Sequence, residues 1–171
     1  GKTAATAPEA GKLAGALKAD RPLLRARIQA GLAALQQQRL ADPKRIAAIG
    51  YCFGGTAVLE LARSGAELAG VVSFHGGLDT SSPADARNIT CKVLVCHGAD
   101  DPYEPTAQVL AFQEEMRRAA VDWQMIWYGG AVHSFTNPQS GNDNSKGAAY
   151  NERADRRSWA AMQTFLAEVF R

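Results

Sequence analysis

Four apolar segments constrain the fold of this chain more than any other feature: RIAAIGY at 45–51, LAGVVSFHG at 68–76, CKVLVCHG at 91–98 and DWQMIWYGG at 122–130. Each is rich in β-branched or aromatic residues and runs into glycine or a small turn, as strands do. A strand that is apolar along its whole length, rather than at every second residue, is covered on both faces. Between the segments lie stretches of helical spacing: 53–64, 105–120 with Val109, Phe112 and Met116 on one face, and 152–170 with Trp159, Met162, Leu166 and Val169 on one face. Two more helices are expected at 8–19 and 22–38, parted at ADRP, with Asp20 as N-cap and Pro22 in the first turn. The second carries Leu24, Ile28, Leu32 and Leu35 at helical spacing. The alternation predicts an α/β fold, a three-layer α/β/α arrangement around a mostly parallel sheet with right-handed crossovers. The connection at 77–90, LDTSSPADARNIT for most of its length, reads as a loop where a helix is expected.

Bulk properties narrow the function classes. At 171 residues and 46% hydrophobic content the chain suits one domain with a core of its own, 1–171. Nineteen Lys and Arg against 17 Asp and Glu give a net charge of +2 with no basic stripe, so a nucleic-acid partner is not expected. Runs such as LAGVVSF fall far short of the roughly 18 apolar residues a membrane span requires, so a soluble protein is expected. Three cysteines, at 52, 91 and 96, make an odd count without framework spacing, which points to a reducing compartment and the cytoplasm. The chain opens on Gly1 with no initiator Met and no signal peptide, so it is expected to start inside a longer gene product. There are no internal repeats, and the one low-complexity stretch is the polar PQSGNDNSKG at 138–147.

In a parallel sheet, catalytic groups and ligands gather outside the carboxyl ends of the strands. Here that rim collects GYCFGG, FHGG, CHGADDPYEP and YGGAVHSF, with a thiol, two adjacent carboxylates and all three histidines. GYCFGG has the form Gly-x-nucleophile-x-Gly-Gly, the strand-to-helix elbow with Cys52 in place of the commoner serine. Gly50 and Gly54 permit the turn. The helix that follows aims its N-terminus at Cys52, favouring a thiolate, and offers the Phe53 N–H as an oxyanion donor. A small core residue at a close strand–helix crossing would show the same glycines. His133, just past the fourth strand, is the candidate base, and Asp100 or Asp101 after the third strand the acid that orients it. The chain order nucleophile, acid, base is that of α/β-hydrolases.

RIAAIGYCFGG, VLVCHGADDPYEP and YGGAVHSFTNP together resemble the dienelactone hydrolase family, α/β-hydrolases with a Cys-Asp-His triad acting on esters and lactones, and the likeness runs over essentially the whole chain. The resemblance implies that the nucleophile is Cys52, the acid Asp101, four residues before Pro105, and the base His133, with Asp100 as the minor alternative. It implies hydrolysis of a small-molecule ester or lactone through an acyl-enzyme, with no cofactor. The chain departs from the family pattern in two places. Members carry roughly 70 to 80 residues ahead of the point where this chain starts, with strands and a His-Glu loop that supplies a second oxyanion donor, so a partial α/β-hydrolase fold is expected. Enzymes that act on dienelactone itself receive the substrate carboxylate on an arginine shortly after the histidine, where this chain has Asn137. If the N-terminal strands are absent, RIAAIGYC is expected to be an exposed sheet edge that self-associates or pairs with the missing segment.

The remaining residues weigh against rival readings. His75 and His97 are read first as hydrogen-bonded loop histidines, with His75 also a candidate pocket residue beside Tyr103, Phe135 and Asn137; Tyr103 and Phe135 could equally be core. Trp123, Trp127 and Trp159 read as packing. A zinc site from Cys91, Cys96 and His97 is disfavoured, because neighbours on a strand point to opposite faces, and no metal is expected. CFGGTA lacks the span and lysine of a phosphate-binding loop. A glutamine-amidotransferase-like thiol hydrolase would place its acid two residues after the histidine, where Phe135 stands. The alternative from another class is a non-catalytic α/β module that binds a ligand or partner, having lost part of its oxyanion hole.

Overall fold

The structure, a computed structural model, describes residues 2–171. Its helices and strands follow the expected alternation. Helices α1 (Ala7–Ala19) and α2 (Arg21–Gln36) precede strand β1 (Ala47–Tyr51), helix α3 (Phe53–Arg63), strands β2 (Gly70–Phe74) and β3 (Lys92–Gly98), helix α4 (Thr106–Arg118), strand β4 (Trp123–Tyr128) and helix α5 (Glu152–Val169). The Asp20 carboxylate caps α2 by accepting the Leu23 N–H at 3.0 Å, with Pro22 in the first turn. The strands pair in parallel in the order β1-β2-β3-β4, so β1 lies at one edge with β2 as its neighbour.

Side chains alternate across each strand, which sends neighbouring residues into two separate cores. Val71, Val93 and Val95 face α3 and α4 and pack with Leu59, Phe112 and Met116. Val72, Phe74 and Leu94 face α5 and pack with Met162 and Phe165. Fully burying residues of this size stabilises by about 1.5–3 kcal/mol each, which is why both faces of the sheet must be covered. Among the described residues, no helix is long and apolar enough to cross a membrane.

One feature differs from the sequence expectation. The stretch at 77–90 holds a short 3₁₀ helix, Pro83–Asn88, whose Ala86 is buried in the first core. Beside it, α3 buries two charges: Glu60 and Arg63 are both 0% exposed. Arg63 donates to Glu60 at 2.9 Å, to both carboxylate oxygens of Glu115 at 2.8 Å, and to the Leu78 carbonyl at 3.1 Å. Arg25 bridges Glu60 at 2.9 Å and Asp85 at 2.6 Å, while Arg21 donates to Asp79 at 2.7 Å. The network ties α2, α3, the 3₁₀ turn and α4 together. Removing one member of such a buried set costs about 3–5 kcal/mol, because its partner is left charged and unpaired.

Candidate active site

β1 ends at Tyr51 and α3 begins at Phe53, so Cys52 alone makes the turn between them, at φ 50° and ψ −122°. The elbow closes so tightly that a Cβ on Gly50 would stand 2.0 Å from the Gly54 carbonyl oxygen. Only glycine fits there. Likewise a Cβ on Gly55 would meet the Cα of Gly76 at 2.8 Å, so paired glycines let α3 seat against the end of β2. The first N–H of α3 belongs to Phe53, and the opening N–H groups of a helix have no acceptor within it.

The candidate acid and base come from the ends of β3 and β4. Asp101, 6% exposed, brings Oδ2 to 2.9 Å from His133 Nδ1, and its Oδ1 accepts the Tyr103 N–H at 2.9 Å. Asp100 is exposed, and its N–H donates to the Ala131 carbonyl. Of the two carboxylates, Asp101 is thus the one that meets the histidine. The backbone of His133 is held by Gly147 and Ala149: its N–H donates to the Gly147 carbonyl at 3.2 Å, and its carbonyl accepts the Ala149 N–H at 3.0 Å. The polar stretch 138–147 is therefore an ordered strap. Asn137 and Asp143 cap its two 3₁₀ turns, and the Asn144 amide donates to the Gly130 carbonyl at 3.0 Å.

His75, at the end of β2, completes the ring around the thiol. It is 2% exposed, with Nδ1 3.4 Å from Cys52 Sγ and 3.3 Å from the Cys52 amide nitrogen, and with Nε2 2.8 Å from Thr136 Oγ1. Ser134 Oγ lies 3.2 Å from the sulfur. Cys52, His75 and Ser134 all have positive φ, at 50°, 38° and 57°. A non-glycine residue in that region costs of order 1–3 kcal/mol and persists only where its surroundings enforce it, which happens mainly at functional sites. Three such residues meet at one sulfur atom. Neither Ser134 nor Thr136 was singled out from the sequence; their proximity to His133 in HSFT was the available signal.

The electrostatics follow from these neighbours. Burial alone would push the Cys52 thiol up, but the imidazoles of His133 and His75 override it and hold it down to about 5. Burial would push His133 down, yet Asp101 and Cys52 raise it to about 9. Between those values the pair carries a thiolate and an imidazolium. His97, 2% exposed and edge-on to Trp127 at 5.3 Å, stands apart, and burial pushes it down. Cys91 packs in the core on one side of the sheet and Cys96 in the core on the other, so the two thiols do not share a site.

A cavity of about 460 Å³ opens beside the sulfur, lined by Tyr51, Cys52, His75, Ser134, Thr136, Asn137, Asp155 and Trp159. Of the sequence candidates, His75 and Asn137 line it. Phe135 does not: it is 0% exposed in the core, edge-on beneath His75 with ring centres 4.9 Å apart. Alternation along SFT turns Phe135 inward between two residues that face the cavity. Tyr103 is 57% exposed and sits against His133 with ring centres 5.3 Å apart, outside that lining. Trp159, expected to pack, is 49% exposed at the cavity mouth, one turn ahead of the α5 residues that enter the core.

Comparison with known proteins matches this architecture. The model of the dienelactone hydrolase family aligns with residues 2–170. An uncharacterized protein of Caenorhabditis elegans is 36% identical over 152 residues, 86% of this chain and 94% of its own length. The crystal structure of a dienelactone hydrolase-like promiscuous phosphotriesterase, P91, from metagenomic libraries superposes with a TM-score of 0.89 at 44% identity, covering 96% of this chain and 69% of that one. A Bradyrhizobium protein named as a probable 2-oxo-3-(5-oxofuran-2-ylidene)propanoate lactonase is 27% identical over 68% of this chain, which spans only half of that relative's length. With the family match running over nearly every residue and the elbow, acid and base gathered on one rim, the chain belongs to the dienelactone hydrolase family.

Proposed function

We propose that the protein hydrolyses carboxylic esters or lactones with Cys52 as nucleophile, His133 as base and Asp101 as the residue that orients it. The observation that carries this reading is the hydrogen-bonded Asp101–His133 pair set beside a strained, partly exposed thiol at the strand ends. The Cys52 thiolate attacks the carbonyl carbon, and the Phe53 N–H at the start of α3 receives the developing oxyanion. As the tetrahedral intermediate collapses, the His133 imidazolium gives its proton to the departing alkoxide, leaving a thioester on Cys52. Neutral His133 then takes a proton from water, which attacks the thioester and releases the acid. Asp101, bonded to Nδ1, keeps the other ring nitrogen turned to the sulfur and steadies the imidazolium. No step calls for a cofactor. Among the described residues the cavity lining has no lysine or arginine, and Asn137 stands where a carboxylate receptor is expected. Neutral esters are therefore the preferred substrates.

The test is turnover of a neutral aryl ester beside a carboxylate-bearing lactone. Cys52→Ala and His133→Ala should each lower kcat on the neutral ester by about 10⁶-fold, because triad members act as a unit. Wild-type turnover in either variant would overturn the mechanism. Equal or faster hydrolysis of the charged lactone by the wild type would overturn the substrate preference. The reading as a non-catalytic binding module leaves the strain around the thiol without a purpose. Three free cysteines suit a reducing compartment, and we place the protein in the cytoplasm.

We further propose that the open edge of β1 takes another strand, from a longer form of the protein or from a second copy. Ile49 and Tyr51 on that strand are 42% and 43% exposed, and unpaired backbone at an apolar edge templates pairing. Solution mass of the 171-residue chain is the check: self-association is expected, and a stable monomer at high concentration would overturn the pairing with a second copy.

A further inference from the structure

The hydrolytic scheme uses one imidazole, yet two stand at the thiol. Cys52 Sγ and one ring nitrogen from each of His75 and His133 lie within 4.8 Å of one another. Each ring has its other nitrogen already engaged: His133 Nδ1 by Asp101 Oδ2 at 2.9 Å, and His75 Nε2 by Thr136 Oγ1 at 2.8 Å. The nitrogens left over are therefore His133 Nε2 and His75 Nδ1. This is how proteins prepare histidines to bind metal: a carboxylate or hydroxyl behind the ring fixes its tautomer and aims the free lone pair.

The one close pair has the separation that a tetrahedral zinc ion gives its donors, and the third donor lies within 4.8 Å of both. Tetrahedral zinc, with Zn–S near 2.3 Å and Zn–N near 2.0–2.1 Å, holds its sulfur and nitrogen donors about 3.6 Å apart. Cys52 Sγ and His75 Nδ1 are 3.4 Å apart. Occupying Nδ1 with a metal removes an acceptor from the Cys52 N–H, but that N–H also donates to the Phe74 carbonyl at 3.1 Å and stays satisfied. A donor set of thiolate and two imidazoles selects zinc over magnesium or calcium, which require oxygen ligands. Three protein ligands leave the fourth position of the tetrahedron to water, and the adjoining cavity of about 460 Å³ gives the ion its way in.

We propose that Cys52, His75 and His133 form a three-ligand site for a single zinc ion, and that zinc seated there silences the hydrolase. The bond formed is between sulfur and zinc. Sulfur is already a thiolate at neutral pH, so the proton that leaves to solvent is the one on the His133 imidazolium, and no atom changes oxidation state. With its sulfur and base both bound to the metal, the site has neither nucleophile nor proton acceptor until zinc is withdrawn. Binding stands independently of the proposed hydrolysis; the silencing rests on it.

The test uses the full chain, stripped with a chelator and kept reduced by a phosphine. Zinc chloride is titrated by calorimetry and equilibrium dialysis, and cobalt replaces zinc to report a sulfur-to-metal charge-transfer band. One zinc per chain is expected, with magnesium inert. Cys52→Ser and His75→Asn should each weaken binding by at least about 10-fold, and Cys52→Ser should abolish the cobalt band. Asparagine is chosen at 75 because it tolerates the positive φ there. Thr136→Val leaves every ligand in place and should still weaken zinc by about 10–100-fold, which covers the case of a ligand variant that fails to fold. Less than stoichiometric zinc, or stoichiometric zinc indifferent to all three substitutions, overturns the site. In the activity arm, zinc should halve ester turnover near its dissociation constant and a chelator should restore it; full turnover at saturating zinc overturns the silencing. A chain that binds zinc through these residues but cleaves no ester refutes the hydrolase reading alone.

Discussion

The three thiols of this chain are chemically the same group in two kinds of place. Cys52 stands past the end of a strand, at a positive φ, with two imidazoles and a hydroxyl around its sulfur. Cys91 lies just before β3 and Cys96 within it, 5% and 0% exposed, in the two apolar cores. Burial acts on all three and raises all three. At Cys91 and Cys96 little opposes it, and the thiols are pushed up to about 11 and about 12. At Cys52 the histidines reverse the sign and the thiol falls to about 5. Burial alone thus makes a cysteine inert. Cys96 has a buried polar neighbour too, the Tyr128 hydroxyl at 3.8 Å, but a neutral phenol does not offset burial; at Cys52 the partners are imidazoles, which can carry the positive charge that holds a thiolate.

This contrast can be broken at several points. The largest effect after loss of the nucleophile or base should come from Asp101→Asn, which leaves the His133 ring in the wrong tautomer and should lower kcat by up to ~10⁴-fold. Asp100→Asn, on an exposed side chain, should leave kcat within a few-fold, and the reverse ranking in steady-state assays would move the acid by one residue. Next is alkylation by iodoacetamide, followed residue by residue with mass spectrometry. Cys52 should react at least about 10²-fold faster than Cys91 or Cys96 in the folded protein at neutral pH. Its pKa is lowered, so labelling should stay nearly flat from pH 8 to pH 6 and fall through a midpoint near pH 5. Equal rates at the three cysteines would remove the distinction between strand end and strand interior. The smallest effect concerns the strain. Ser134→Gly relieves a positive φ and should raise Tm by about 2–4 °C, and should move the lower limit of Cys52 labelling to higher pH, since the hydroxyl 3.2 Å from the sulfur is lost with it. A lower Tm would mean that the conformation at 134 is not strained.

Much of this could be read from residue order, and the exceptions share a cause. Apolar runs separated by helical spacing place the four strands and five α-helices of the described residues, because burial on both faces of a sheet leaves few other patterns. Cys52, Asp101 and His133 are legible for the same reason: each follows a strand whose end is plain. What escapes are contacts set by tertiary packing. Glu60 and Arg63, three residues apart on α3, look like one solvated helix face, and only the arrival of Glu115 from α4 and Arg25 from α2 makes them interior. Phe135, open to either pocket or core, and Trp159, expected to pack, are hard to place because a one-residue step along an irregular loop, or one helical turn, changes which side of the wall a ring is on. His75 reads as a loop histidine because its distance to Cys52 depends on the pairing of β1 with β2 and not on any spacing between residues 52 and 75.

The strap at 138–147 has the composition of a segment that protein engineers treat as spare: serine, asparagine, glycine, and no core residue. Yet the strand-like grip on His133 comes from Gly147, its last residue, and from Ala149, two residues beyond it. The position of His133 is thus held by buried backbone just past a polar strap, outside the four-stranded sheet. A single peptide-bond cut near Asn142 would leave both cores and every strand standing while freeing the strap that leads into the backbone holding the imidazole. If the protein is the hydrolase proposed above, a nick in this strap is expected to reach its chemistry before its fold.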